Sequence, residues 1–213
     1  MKKSFIQLAG AAVVMAGAVL SSAAYAQAYI GGGIGRDHAS FPSLSTTILR
    51  VPVTGAGSNA ERTSYKGFGG YQFTENWGLE ASIARIGDGH TASARVRGVG
   101  GSGKYNLESV TFAATGTLPL EGGFSLLGKL GVTRNHVSGE QFCVVGTCIR
   151  LGSSSHVNAL WGVGAQYALS KAWALRLEFE DYGRFSGDDV WGTGRNSGSV
   201  KATDWSLSLK FSY

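Results

Sequence analysis

From residue 27 onward the chain alternates apolar and polar side chains with a period of two, interrupted by turn residues. The clearest stretch is Thr203 to Tyr213. Trp205, Leu207, Leu209, Phe211 and Tyr213 alternate with Asp204, Ser206, Ser208, Lys210 and Ser212. Successive side chains of a strand point to opposite faces, so this segment has one apolar and one polar face. The same reading predicts eight strands: Gln27–Arg36, Arg62–Phe73, Trp77–Gly87, Lys104–Leu118, Phe124–Asn135, His156–Leu169, Trp173–Gly183 and Thr203–Tyr213. Three connections are short: Thr74 to Asn76, Pro119 to Gly123 and Ser170 to Ala172. Four are long: Asp37–Glu61, Asp88–Gly103, His136–Ser155 and Arg184–Ala202.

Short and long connections alternate strictly. In an up-and-down antiparallel barrel this puts every long loop at one end and every short turn at the other, the asymmetry of bacterial transmembrane barrels. A Greek-key sandwich has no reason to alternate in this way. The strand faces agree. In Trp173–Gly183, Trp173, Leu175, Leu177 and Phe179 oppose Arg176, Glu178 and Glu180. In Trp77–Gly87, Leu79, Ala81 and Ile83 oppose Glu80 and Ser82. In Phe124–Asn135, Phe124, Leu126, Leu130 and Val132 oppose Ser125, Lys129 and Thr133. Tyr71, Phe73, Trp77, Phe124, Tyr167, Trp173, Phe211 and Tyr213 fall near the short-turn ends, as an interfacial aromatic girdle does. A soluble lipocalin-like barrel also has eight strands, but it has no use for a girdle or for one-sided loops.

The first 26 residues change the compartment. Lys2 and Lys3 precede an apolar run from Phe5 to Leu20 broken only by Gln7, and Ala24-Tyr25-Ala26 supplies a small-x-small cleavage pattern. This reads as a signal peptide over 1–26 and a barrel domain over 27–213. The remaining sequence has no other run of about 20 apolar residues, so any membrane crossing must use strands. Removing the signal lowers the formal charge from +5 to +3, too little and too dispersed to argue for nucleic acid. With 33 glycines and 3 prolines, the composition disfavours a helical protein. Cys143 and Cys148 flank Val-Val-Gly-Thr, which in an exported protein predicts a small disulfide-closed loop.

Several segments carry a family likeness: Ala28-Tyr29-Ile30-Gly31, Gly70-Tyr71-Gln72 followed by Trp77-Gly78-Leu79-Glu80, Gly128-Lys129-Leu130-Gly131, and Arg176-Leu177-Glu178-Phe179. In order and spacing the chain resembles the transmembrane-barrel domain of the OmpA family and related small outer-membrane barrels. The resemblance implies an eight-stranded outer-membrane barrel whose inward charges form a salt-bridged plug, with Glu80, Lys129, Arg176 and Glu178 at matching lumen positions. The family's inward lysine on the fourth strand falls at Thr115 here. Many members also carry a C-terminal peptidoglycan-binding domain; ending at its eighth strand, this sequence is expected to lack one. Its aromatic ending, Trp205, Leu207, Leu209, Phe211 and Tyr213, resembles the signal read by the outer-membrane assembly machinery.

The plug also follows from charge balance. Face parity points Lys66, Lys129, Arg176 and Lys210 inward together with Glu80, Glu178, Glu180 and Asp204. An eight-stranded barrel is just wide enough for side chains to fill it, and unpaired buried ions cost several kcal/mol each, so equal numbers of both signs predict pairing. A ring of one sign would have argued for selective conduction. His38, His90, His136 and His156 fall in or beside the long connections, where solvated loop residues account for them. Neither they nor Asp188-Asp189 form a recognisable metal or triad pattern. We therefore expect no catalytic residues, metal or cofactor. The predicted function is that of a monomeric structural and interaction barrel in a Gram-negative outer membrane. Its expected partners are membrane lipid and lipopolysaccharide, the assembly machinery, and host surfaces or phage through the loops, with no nucleic acid. A narrow low-conductance channel is the alternative, and a lipid A-modifying enzyme is disfavoured.

Overall fold

The computed structural model describes residues 27–40, 44–48, 51–56, 59–96, 99–144, 147–150, 153–186 and 199–213. The expected signal peptide, the acidic pair Asp188-Asp189 and the tip of the last long connection lie outside them. The strands are β1 (Gln27–Ser40), β2 (Leu44–Ile48), β3 (Val51–Ala56), β4 (Asn59–Gln72), β5 (Trp77–Val96) and β6 (Val99–Pro119). They continue with β7 (Phe124–Val144), β8 (Thr147–Arg150), β9 (Ser153–Ala168), β10 (Trp173–Ser186) and β11 (Ser199–Ser212).

Eight of these are staves of a closed ring: β1, β4, β5, β6, β7, β9, β10 and β11 each pair antiparallel with the next, and β11 pairs back onto β1. This is the predicted up-and-down transmembrane barrel. Following paired residues around it from Gln27 leads through Gln72, Gly78, Thr115, Lys129, Gly162, Glu180 and Asp204 to Asp37. The path returns ten residues further along β1, so the shear is ten. With ordinary strand spacing and rise, eight strands at that shear tilt about 40° and enclose a cylinder of radius about 8 Å. Such a space has room for side chains and little else.

Each step around the ring climbs about 1.25 residues along the barrel axis. On that scale the eight short-turn aromatics fall within a band about 6 Å tall. Phe124 and Tyr167 rings lie 4.7 Å apart, Trp173 and Phe211 4.8 Å, and Phe211 and Tyr213 5.1 Å. A second outward group, Tyr65, Trp161, Phe179 and Trp205, lies about 16 Å higher, with Phe179 and Trp205 rings 5.0 Å apart. Between the two groups the outward positions are Ile, Val, Leu, Phe, Ala and Gly, and the large ones are exposed: Ile34 60%, Leu130 71%, Val163 53%. Only lipid makes such a surface favourable.

The short turns are built locally. Thr74 Oγ1 accepts from the amides of Asn76 and Trp77, and Ser170 Oγ accepts from those of Ala172 and Trp173. In the turn before β7, Gly122 and Gly123 sit at φ 72° and 83°, where a Cβ is disfavoured.

The long connections are shorter than predicted, a correction with a common cause. β5, β6 and β7 run for 20, 21 and 21 residues, beyond the 9–11 or so that a tilted strand needs to cross a bilayer. Their outer halves pair on, β3 adds to β5, β2 to β3, and β8 to β7. These segments are rich in Gly, Ser and Thr, and where they alternate, as from Thr91 to Arg97, the apolar positions are mostly small, so a hydrophobic pattern marks them weakly. Cys143 and Cys148 are directly opposite in the β7–β8 register; their side chains lie outside the described residues.

Glycines set how closely staves approach. A Cβ on Gly131 would lie 2.2 Å from the Phe112 carbonyl oxygen and 2.6 Å from the Ala113 Cα, both backbone of β6. Gly131→Ala is expected to cost about 1–3 kcal/mol in urea unfolding from lipid vesicles. An unchanged midpoint contradicts this.

The lumen charge cluster as a candidate functional site

Inward positions of the staves converge on one charged layer. Lys66 comes from β4, Glu80 from β5, Lys129 from β7, and Arg176, Glu178 and Glu180 from alternate positions of β10. Every one of these side chains is at most 2% exposed. Lys129 Nζ contacts all three acids: it donates to Glu80 Oε1 and lies 2.6 Å from Glu178 and 3.1 Å from Glu180. Glu178 contacts all three cations, with Lys66 at 2.7 Å, Lys129 at 2.6 Å and Arg176 at 3.7 Å. Arg176 Nη1 reaches Glu80 Oε2 at 2.7 Å, and Lys66 reaches Glu180 at 2.8 Å. The six charges sum to zero. Tyr29 and Tyr182 hydroxyls donate to Glu80 and Glu180 at 3.1 and 2.9 Å, filling acceptor positions that the cations leave open.

Asp204 and Lys210 are also buried in the lumen, at opposite ends of this layer, and among the described residues neither has an ion partner within 4 Å. Asp204 accepts the Ser64 hydroxyl, and Lys210 Nζ lies 4.3 Å from the centre of the Tyr29 ring. Of the eight predicted lumen charges, six thus form a linked set of three against three and one of each sign is held separately. Asp37 on β1, cross-strand to Asp204 and accepting the Arg62 amide, is a further buried acid that the prediction left out.

Sequence reasoning missed an aromatic in this layer. Phe68 is 6% exposed. Its ring lies 4.8 Å from Arg176, 5.8 Å from Lys129 and 5.9 Å from Lys66, measured to the ring centre. It fits because Gly31 faces it: a Cβ there would lie 2.2 Å from the ring. The available signal was parity, since Phe68 is two residues from inward Lys66.

Toward the long-connection end hydroxyl, amide and apolar side chains fill the lumen, with the carboxylate of Asp37 buried among the same layers. Ser109 donates to Asn135, Thr111 to Thr133, and Asn135 Nδ2 to the Tyr182 carbonyl. Around and above them Ala39, Ile86, Leu107, Val137, Leu160, Tyr182 and Ala202 belong to a buried apolar cluster. Beyond Asp181, a bulge with Gly183 at φ 81° carries β10 past this layer. Of the histidines, His38 is exposed on the outward face of β1, His136 bonds Ser155 at 2.9 Å, and the His90 side chain is outside the described residues. Among the described residues no group of three His, Cys, Asp or Glu side chains is placed to hold a metal.

Comparison with known proteins agrees with this architecture. No curated protein matches the sequence. OprG from Pseudomonas aeruginosa is 14% identical with a TM-score of 0.54, over 89% of this chain and 96% of that one. Neisserial surface protein A is 13% identical with a TM-score of 0.52, over 86% and 96%. The N-terminal β-barrel domain of P. aeruginosa OprF is 12% identical with a TM-score of 0.50, over 87% and 97%. At these identities the likeness is one of fold. The family model for the outer membrane protein beta-barrel domain matches residues 9–212. With a closed ring of eight staves, a lipid-facing belt and this match, the chain belongs to the outer membrane protein beta-barrel family and resides in the Gram-negative outer membrane.

Proposed function

We propose that this protein is a non-enzymatic, monomeric structural and interaction barrel. It plugs its own lumen and presents a rigid strand-built surface outside the membrane to host surfaces, phage or lipopolysaccharide. The carrying observation is the surplus length of β5, β6 and β7, which no bilayer requires and which β2, β3 and β8 widen. Paired strands hold their shape better than free loops, so less order is lost on binding. In this reading the outward face Trp205, Leu207, Leu209, Phe211 and Tyr213 serves as the assembly signal, and a Cys143–Cys148 disulfide staples the β7–β8 hairpin.

The test is to replace residues 88–104 and 139–152 by Asn-Gly turns, verify the barrel by its heat-dependent gel migration, and measure host-cell adhesion and phage adsorption. Loss of either supports the reading; retention of both sinks it. A narrow channel is the second reading, favoured by the hydroxyl strip of Ser206 and Ser208 beside the glycines of β1. Planar-bilayer recording is expected to show a silent wild type; steady openings would favour the channel.

A further inference from the structure

The outward faces carry no charge from the short-turn girdle up to the second aromatic group, and then change abruptly. Arg36 on β1, Arg85 on β5 and Arg134 on β7 lie within about 3 Å of one another in height, about 22 Å above the lower girdle. That separation approaches the ~25 Å apolar band of outer-membrane barrels, which places these guanidiniums at headgroup level. Arg36 is cross-strand to Trp205 and Arg85 to Tyr65, the pairing of charge and amphipathic ring expected at an interface.

Most of the cations on this rim are neutralised within the protein. Arg36 has Glu61 at 3.4 Å, Arg85 has Glu108 at 3.1 Å, and Lys201 has Asp181 at 2.9 Å. Arg134 differs. Its cross-strand neighbours are Val110 and Val157, which are 44% and 69% exposed on the lipid face. Among the described residues no carboxylate lies within 4 Å of it. Directly below run Val132, Leu130 and Phe112, all exposed and apolar.

A guanidinium on a strand position flanked by apolar cross-strand neighbours at headgroup depth calls for an anion from the membrane, and its planar fork fits a phosphate bidentately. We propose that Arg134 anchors a binding site for a phosphate of lipid A, the glycolipid of the outer leaflet. Acyl chains of the same molecule lie along Val132, Leu130 and Phe112. This deepens the proposed function and rests on its assignment of the long-connection end to the cell exterior.

The test is native mass spectrometry of the refolded full barrel titrated with diphosphoryl lipid A, dephosphorylated lipid A, phosphatidylglycerol or inorganic pyrophosphate. Diphosphoryl lipid A is expected to bind tightest. Arg134→Gln should weaken it about tenfold, the scale of a lost charge-assisted contact, with Arg134→Lys intermediate. Arg85→Gln, whose guanidinium already has Glu108, should stay within about twofold. Unchanged binding by Arg134→Gln overturns the proposal, as does equal binding of any of the three comparison ligands. The 88–104 and 139–152 replacement leaves Arg134 in place, so it keeps lipid A binding even if adhesion does not depend on those segments.

Discussion

Lys129→Met is expected to lower the unfolding free energy by about 3–5 kcal/mol in urea titrations from lipid vesicles, the cost of leaving buried charge uncompensated. Methionine matches the length of the stem, so little packing is lost. The electrostatics are what change: Glu80, Glu178 and Glu180 then face only Lys66 and Arg176. Because Lys129 touches every acid in the layer, no other single substitution leaves so many carboxylates short of a partner. Adding Glu178→Gln restores equal numbers of both signs. The double variant should therefore recover part of the loss, with a coupling of about 0.5–3 kcal/mol. Strict additivity of the two changes would show that the six charges do not act as a unit.

Phe68→Ala should be comparably damaging, at about 3–5 kcal/mol, and for a different reason. The ring fills the lumen over Gly31 and presents its face to three cations. Removing it opens a cavity beside charges and lets water in. Phe68→Leu keeps most of the volume and loses only the ring face, so a cost of about 1–2 kcal/mol is expected. Equal losses for both variants would mean that the quadrupole, and not the filled volume, supplies the stabilisation. Gly31→Ala in the Phe68→Ala background tests the same contact from the other side. It should cost less than in the wild type, although the Leu209 carbonyl at 2.7 Å still opposes a Cβ there.

The ring of staves was legible because lipid enforces its pattern. Leu175, Leu177 and Phe179 against Arg176, Glu178 and Glu180 admit only one face assignment once the outside is apolar. What lies beyond the membrane was not legible. Residues 88–103 read as a loop because Gly and Ser punctuate them and the alternation from Thr91 to Arg97 is carried only by Ala92, Ala94 and Val96, yet β5 and β6 remain paired to Val96 and Val99. Outside the bilayer nothing requires the apolar positions to be large, so the strand continues with a weaker signal.

The lumen was half legible. Parity located the charges, since an inward charge stands out against an apolar belt. It did not mark Phe68, Ile86, Leu107 or Leu160, whose inward direction contradicts the simple rule that apolar means outward. Nor could it show that Asp204 takes a serine hydroxyl and Lys210 a tyrosine ring, because those choices depend on which staves face each other across the bore.

The seam between β1 and β11 joins the first and last staves, Tyr29 to Ser212 and Ala39 to Ala202. Between Tyr29 and Lys210 at one end and Asp37 and Asp204 at the other, the middle of its inner surface is made of the smallest residues, Gly31, Gly33 and Gly35 against Ser206 and Ser208. Closure there is a matter of backbone hydrogen bonds, with no large side chains to thread past one another. The ion pairs are equally non-local: Lys66 and Glu178, or Glu80 and Arg176, meet only when the sheet has curled through half a turn or nearly so. An open, flat sheet would expose six uncompensated ions, so the cluster rewards only the finished ring. Such a high contact order makes unassisted folding slow, and it leaves partly curled forms of this chain dependent on whatever guides them into the bilayer.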